Sequence, residues 1–300
     1  MSKLIINMFY KQREDFLKSC AGRDEQFPPL HEVIREADIP YAGDTLPAHR
    51  LDIYYPKEAK DMKADSLLPV MINIHGGGLL IGNKEFNRPF CERIARKGFL
   101  VFSLEYQLIP DCMIFDQFQD VFLAFDYIKE HLGRYHGDPE RIYASADSGG
   151  ACLLTYVSAM QNSQKLADAA GVTTSPLKPR AIGLISGMFY TTRKDKIGLF
   201  LPPYLYGKHY KKGAFAPYVN PEQEDIVSSL PPCFLSTSHD DYLQSYTVSF
   251  AKALSRYQVP CKLLNLPSDR RLTHAFSVFN PSLPESEALI SDMLQFLQSC

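Results

Sequence analysis

Ser148 sits in the run Arg141-Ile142-Tyr143-Ala144-Ser145-Ala146-Asp147-Ser148-Gly149-Gly150, where an apolar stretch gives way to small residues and then to Ala151-Cys152-Leu153-Leu154. The pattern reads as a strand, a tight turn and a helix with serine at the apex, which lifts a nucleophilic hydroxyl above a sheet edge. Bulk two positions to either side of that serine would strike the adjoining strand or helix, and Ala146 and Gly150 are small enough. The usual spelling is G-x-S-x-G, so Ala146 adds one methyl at the tightest position. Ser145 is a weaker candidate because no glycine follows it two residues on. Upstream, Val70-Met71-Ile72-Asn73-Ile74 runs into His75-Gly76-Gly77-Gly78, with Gly82 four residues later. Consecutive glycines after a buried strand let backbone N–H groups turn inward, where they can receive an oxyanion. Phosphate-loop readings fail: Ile81 stands where G-x-G-x-x-G needs its last glycine, and Asn83 separates Gly82 from Lys84. A serine nucleophile needs a base and an acid to orient that base, in the chain order Ser, Asp/Glu, His. His274, in Leu272-Thr273-His274-Ala275-Phe276, and the pair Asp240-Asp241 supply them, with either aspartate a candidate. Asp147, beside the nucleophile, reads as an exposed turn acid.

The elements that must hold these residues follow from the alternation of short apolar runs with longer amphipathic ones, the pattern of a parallel sheet covered by helices. Strands are expected at 51–55, 70–75, 99–104, 141–146, 181–186, 233–237 and 261–265, and helices at 86–97, 118–132, 151–162, 245–257 and 286–298. Residues 1–45 read as helical and then loop-like. Residues 188–225 carry Phe200, Tyr204, Tyr206, Tyr210, Phe215 and Tyr218 without strand alternation. Both segments are expected to cap the C-terminal edge of the sheet within a single domain spanning 1–300. The aromatic residues either line a substrate pocket there or pack the cap onto the core.

Composition narrows the function classes. Across 300 residues, 32 Lys+Arg against 34 Asp+Glu give a net charge of −2, and the pairs Lys211-Lys212 and Arg270-Arg271 read as solvated loop positions. No basic run marks a nucleic-acid or anionic-lipid partner. Seven widely spaced cysteines form neither a disulfide framework nor a C-x-x-C pair, and no apolar run reaches 18 residues, so a soluble cytoplasmic protein without a membrane span is expected. No H-E-x-x-H or close Cys/His set calls for a metal.

From about residue 50 onward the chain resembles the hormone-sensitive-lipase-like group of α/β-hydrolase carboxylesterases. His75-Gly76-Gly77-Gly78 matches the group's H-G-G-G, Glu105-Tyr106-Gln107-Leu108-Ile109-Pro110-Asp111 resembles its D-Y-R-L-A-P-E, and Asp138-Pro139-Glu140-Arg141-Ile142 its D-P-x-R-I. Ala216-Pro217-Tyr218-Val219-Asn220-Pro221 and Leu230-Pro231-Pro232-Cys233 resemble its junction of cap and core. The resemblance implies an α/β-hydrolase fold and hydrolysis of short-chain esters through an acyl-enzyme, with no metal or cofactor. It implies Ser148 as nucleophile, His274 as base, and the amides of Gly77, Gly78 and Gly149 as oxyanion donors. Aligning the group's G-x-x-D-P-L with Ser238-His239-Asp240-Asp241-Tyr242-Leu243 favours Asp241 as the acid. The chain departs from the group in Ala146 and Gly149, where G-D-S-A-G-G has Gly and Ala, and in Gln107, Ser238 and Ala275. The same triad also serves sugar deacetylases, formamidases and peptidases, and a non-catalytic binder could keep the fold. The implied partner is a small-molecule ester, and an exposed final strand or helix is a surface on which a homodimer could form.

Overall fold

Val70, Met71, Ile72 and Ile74 are all fully buried, as a central strand covered on both faces requires. The computed structural model, which describes residues 2–63 and 66–300, places them in β3 of an eight-stranded sheet. Its strands are β1 (Val33–Pro40), β2 (Arg50–Pro56), β3 (Leu68–Ile74), β4 (Leu100–Leu104), β5 (Gly137–Asp147), β6 (Ile182–Ile185), β7 (Cys233–Ser238) and β8 (Cys261–Leu266). Their order is β1-β2-β4-β3-β5-β6-β7-β8. Strands β3 to β8 run parallel, whereas β2 is antiparallel to both β1 and β4. This is the predicted α/β-hydrolase architecture.

Among the described residues six helices of eight or more residues accompany the sheet: α1 (Lys3–Ser19), α2 (Arg88–Arg96), α3 (Ile114–His131), α4 (Ser148–Met160), α5 (Gln244–Arg256) and α6 (Pro284–Gln298). One face of the sheet packs Val70, Ile72 and Ile74 against Phe118 and Phe122 of α3, Leu153 and Val157 of α4 and Phe250 of α5. The other packs Met71 and Val101 against Phe90 and Ile94 of α2 and Ile290 and Met293 of α6. Each such side chain contributes about 1.5–3 kcal/mol on leaving water, and the two layers clamp the strand ends that carry the site.

Within 1–45 the structure corrects the reading of helix followed by loop, because Val33–Pro40 is a strand at the sheet edge. Its register with β2 breaks between Glu36 and Ile39, where Asp38 takes a φ of 58°. Helix α1 is fastened to loops of the core by Arg13, which donates to the carbonyls of Leu80 (3.3 Å), Leu108 (3.3 Å) and Ile109 (2.9 Å) and pairs with Asp111 at 2.7 Å. In the 188–225 segment, Tyr204, Tyr206, Phe215 and Tyr218 are buried. Phe215 packs on Phe115, Phe118 and Tyr156, and Phe9 of α1 meets Tyr204 edge-on at 5.0 Å. These rings therefore pack the segment onto α3, α4 and α1, whereas Phe200 faces solvent. Among the described residues no helix is long and apolar enough to cross a membrane, and all seven cysteines are free thiols.

Candidate active site

The last residue of β5, Asp147, has extended backbone, and Ser148, the first residue of α4, then turns to a φ of 49°. A non-glycine residue at positive φ costs on the order of 1–3 kcal/mol and persists only where its surroundings fix it. Here the Ser148 carbonyl accepts from the Met188 N–H at 2.9 Å, while Gly150 leaves no room for any side chain. A Cβ on Gly150 would stand 2.3 Å from the His75 carbonyl oxygen. The strand-to-helix turn thus presses against the end of β3 and holds the Ser148 hydroxyl at the sheet's C-terminal edge.

The structure brings Asp241 and His274 to that hydroxyl. His274 Nε2 is 2.9 Å from Ser148 Oγ, and His274 Nδ1 is 2.8 Å from Asp241 Oδ1. With Nδ1–H donating to the carboxylate, Nε2 is left to accept from the serine, which is the arrangement of a general base poised on a nucleophile. Asp241 lies in the turn after β7; its Oδ1 also accepts from the Leu243 N–H at 2.8 Å and its Oδ2 from the Thr237 hydroxyl at 3.0 Å. Burial alone would raise this carboxyl, but the hydrogen bond and electrostatic pull of His274, with the Ser186 hydroxyl and the Leu243 amide, outweigh it and hold the group below the usual aspartate value. Asp240 is exposed and accepts instead from the Ser268 hydroxyl. The His274 loop is pinned on both sides: Ser238 Oγ donates to the Leu272 carbonyl, and the Ala275 N–H donates to Ser186 Oγ at 3.0 Å. Ser238, a departure from the resembled group, thus serves as a fastening through its side chain, whereas Ala275 acts through its backbone at a φ of 47°.

The glycine turn lies against the elbow. Gly77 and Gly78 have φ of 106° and 61°, which glycine adopts without a Cβ penalty. A Cβ on Gly149 would come within 2.8 Å of the nitrogens of both Gly78 and Leu79. The second and third glycines of the turn and the residue after Ser148 are thereby gathered at one place. His75 anchors the turn. Its Nε2 lies 2.9 Å from Glu105 Oε1 and its Nδ1 2.8 Å from the Gly76 carbonyl oxygen, and its ring stacks on Tyr106. Burial pushes the His75 imidazole down, but the Glu105 carboxylate, the Gly76 carbonyl and Asp147 together raise it above its ordinary value.

Asp147 is not the exposed turn acid that its position suggested. It is only 3% exposed and accepts from the Gly76 N–H at 3.0 Å and from Asn87 Nδ2 at 2.9 Å. Asn87 also donates to Asn73 Oδ1, and Asn73 donates to Ser145 Oγ. Burial raises the Asp147 carboxyl against the pull of Asn87, His75, His274 and the Gly76 amide. Two further neighbours of His274 were not singled out from the sequence: the Tyr242 ring lies 4.4 Å from the imidazole and the Phe279 ring 6.5 Å. Tyr242 occupies the proline position of G-x-x-D-P-L, and this departure was legible in the sequence. One acidic cluster with metal-ligand spacing, Asp38, Asp52 and Glu85, lies apart from the triad. Lys84 Nζ fills it, at 2.7 Å from Asp38 and 3.0 Å from Asp52 and in contact with Glu85.

Residues 71–277 match the α/β-hydrolase fold family, and the chain belongs to that family. It is 27% identical over 229 residues to a probable isoprenylcysteine α-carbonyl methylesterase of Arabidopsis thaliana, covering 73% of this chain and 47% of that protein. To carboxylesterase NlhH of Mycobacterium tuberculosis it is 26% identical over 283 residues, covering 89% and 82%. The chain thus spans about half the length of the plant methylesterases it matches and most of the bacterial enzyme. Among solved structures, esterase B of Lactobacillus rhamnosis superposes with a TM-score of 0.86 at 22% identity, covering 99% of this chain and 96% of the other.

Proposed function

We propose that this chain is a serine carboxylesterase that hydrolyses short-chain esters of small molecules. The observation that carries the reading is the hydrogen-bonded series Asp241–His274–Ser148 seated beside the glycine turn. Ser148 Oγ attacks the ester carbonyl as His274 Nε2 takes its proton. The oxyanion forms against the N–H groups of Gly77, Gly78 and Gly149, each donor lowering the barrier by about 3–4 kcal/mol. Asp241 keeps the imidazole in the reactive tautomer and stabilises the imidazolium. The imidazolium returns its proton to the departing alcohol oxygen, leaving Ser148 acylated. Water, activated by the same His274, then releases the acid and restores the serine. Esterase relatives support the reaction class, and a solved neighbour inhibited by a C4-C4 tributyrin phosphonate supports short acyl chains. In this reading 1–45, apart from the edge strand, and 188–225 form a cap, because α1 is fastened to the loops after β3 and β4 and 188–225 packs on α3, α4 and α1. Seven free thiols agree with the reducing cytoplasm as its location.

The test is hydrolysis of p-nitrophenyl acetate, butyrate and octanoate by the wild type and by Ser148→Ala. Activity that is highest on acetate and butyrate and lost in the variant is the expected result. Equal activity in both proteins would remove Ser148 as nucleophile.

A further inference from the structure

Among the described residues, four aromatic side chains are exposed: Tyr10, Phe200, Tyr242 and Phe279. Two of the four stand beside His274. Tyr242, 72% exposed, tilts over the imidazole with 4.4 Å between centroids. Phe279, 45% exposed, lies 6.5 Å away. Neither ring is loosely placed. Tyr242 directly follows Asp241 in a turn closed by the Asp241 N–H donating to the Ser238 carbonyl and the Leu243 N–H donating to Asp241. Phe279 meets Phe86 edge-on at 4.9 Å, and its carbonyl accepts from Arg23, whose guanidinium also lies 3.8 Å over the Phe86 ring. Two fixed aromatic faces left open to solvent at a reaction centre are surface that a planar apolar group can cover.

The chemistry decides which part of an ester reaches them. In acylation the bond from Ser148 Oγ to the acyl carbon forms and the bond from that carbon to the alcohol oxygen breaks. The proton that left Ser148 passes through His274 Nε2 to the departing oxygen. That oxygen must therefore sit against His274, and whatever it carries extends past the side chains flanking the imidazole. The acyl group remains on Ser148, beside the glycine turn. Resting on the esterase reading, we propose that Tyr242 and Phe279 form a clamp for the alcohol half of the substrate and select esters whose leaving alcohol carries an aromatic or similarly flat apolar group. Tyr242 is then a specificity residue peculiar to the way this chain spells its acid turn.

Benzyl acetate and ethyl acetate share the acyl group and release alcohols of similar basicity, so the ratio of their kcat/KM values isolates contact with the alcohol. An aromatic pair contributes about 0.5–1.5 kcal/mol beyond its area, so Tyr242→Ala is expected to lower the benzyl-to-ethyl ratio about tenfold. Phe279→Ala is expected to lower it less, and the inhibition constant of benzyl alcohol should rise in parallel. Tyr242→Leu, which keeps apolar bulk, serves if the alanine variant fails to fold, and the ratio should fall with it too. A ratio unchanged in correctly folded Tyr242 variants overturns the clamp, even if both rates drop together, since that pattern reports support of His274 alone. Wild-type protein that hydrolyses neither acetate overturns the esterase reading and the clamp with it.

Discussion

Gly149 shows how one side chain's absence sets the geometry of the site. The resembled group has alanine after the nucleophile, yet here a Cβ would press on the Gly78 and Leu79 nitrogens at 2.8 Å, closer than real Cβ contacts allow. Gly149→Ala must therefore push the glycine turn away from the elbow and misplace the proposed oxyanion donors. Loss of one such donor costs 10²–10³ in kcat, so a fall of about 100-fold with an unchanged far-ultraviolet spectrum is expected. Activity within threefold of wild type would show that the turn yields without consequence. Asp147 makes a second prediction at this scale. Its carboxyl is raised by burial, so its protonated form is favoured by folding; that contribution is present below the ordinary aspartate pKa and lost as pH rises through the higher folded value. Asp147→Asn keeps an oxygen to accept from the Gly76 amide but cannot ionise. Its melting temperature relative to wild type should accordingly increase between pH 4 and pH 8. Asp147→Ala instead leaves the buried Gly76 N–H without a partner and should cost about 1–3 kcal/mol. A gap between the asparagine variant and wild type that stays constant with pH would contradict the assignment.

At the scale of elements, seven strands and five helices were legible because buried apolar runs and amphipathic periods carry their own signature. The edge strand β1 was not. Its sequence Val33-Ile34-Arg35-Glu36-Ala37-Asp38-Ile39-Pro40 mixes charge with apolar residues, its burial does not alternate, and its register breaks at Asp38. Such a strand exists because β2 offers a free edge, a fact of topology rather than of local pattern. The helix Gln164–Ala170 was missed for its brevity. The candidate triad and glycine turn were legible as an ordered set of residue types, and the structure gathers them at one sheet edge. The burial of Asp147 was not legible, because it depends on the approach of Gly76 from the glycine turn after β3. Likewise, only the folded chain shows what fastens α1. Arg13 meets three carbonyls and one carboxylate, and hydrogen bonds to charged groups are worth about 1.5–3 kcal/mol each. Arg13→Ala should speed amide hydrogen exchange across Lys3–Ser19 at least tenfold while the strands keep their protection. Unaltered exchange in that helix would mean that Phe9 and its neighbours suffice to hold it.

For the whole molecule, a net charge of −2 offers no long-range field to gather a charged substrate. Hydrolysis of a neutral ester should accordingly change less than twofold in kcat/KM between 50 and 500 mM NaCl, and a steep salt dependence would point to an ionic substrate instead. The two sheet faces form a rigid frame, and the acid turn and the glycine turn meet at one edge of it. Loops set on such a frame can vary while the frame stays the same. The central claim is that Ser148 becomes covalently modified at that edge. The most direct measurement is the mass of the intact protein, and then of its peptides, after treatment with a p-nitrophenyl alkylphosphonate, which stalls the reaction at a tetrahedral adduct. The account predicts one phosphonyl group on the peptide carrying Ser148, complete loss of hydrolysis, and no adduct in Ser148→Ala. An unmodified Ser148 in protein that still hydrolyses esters, or an adduct on another residue, would contradict it.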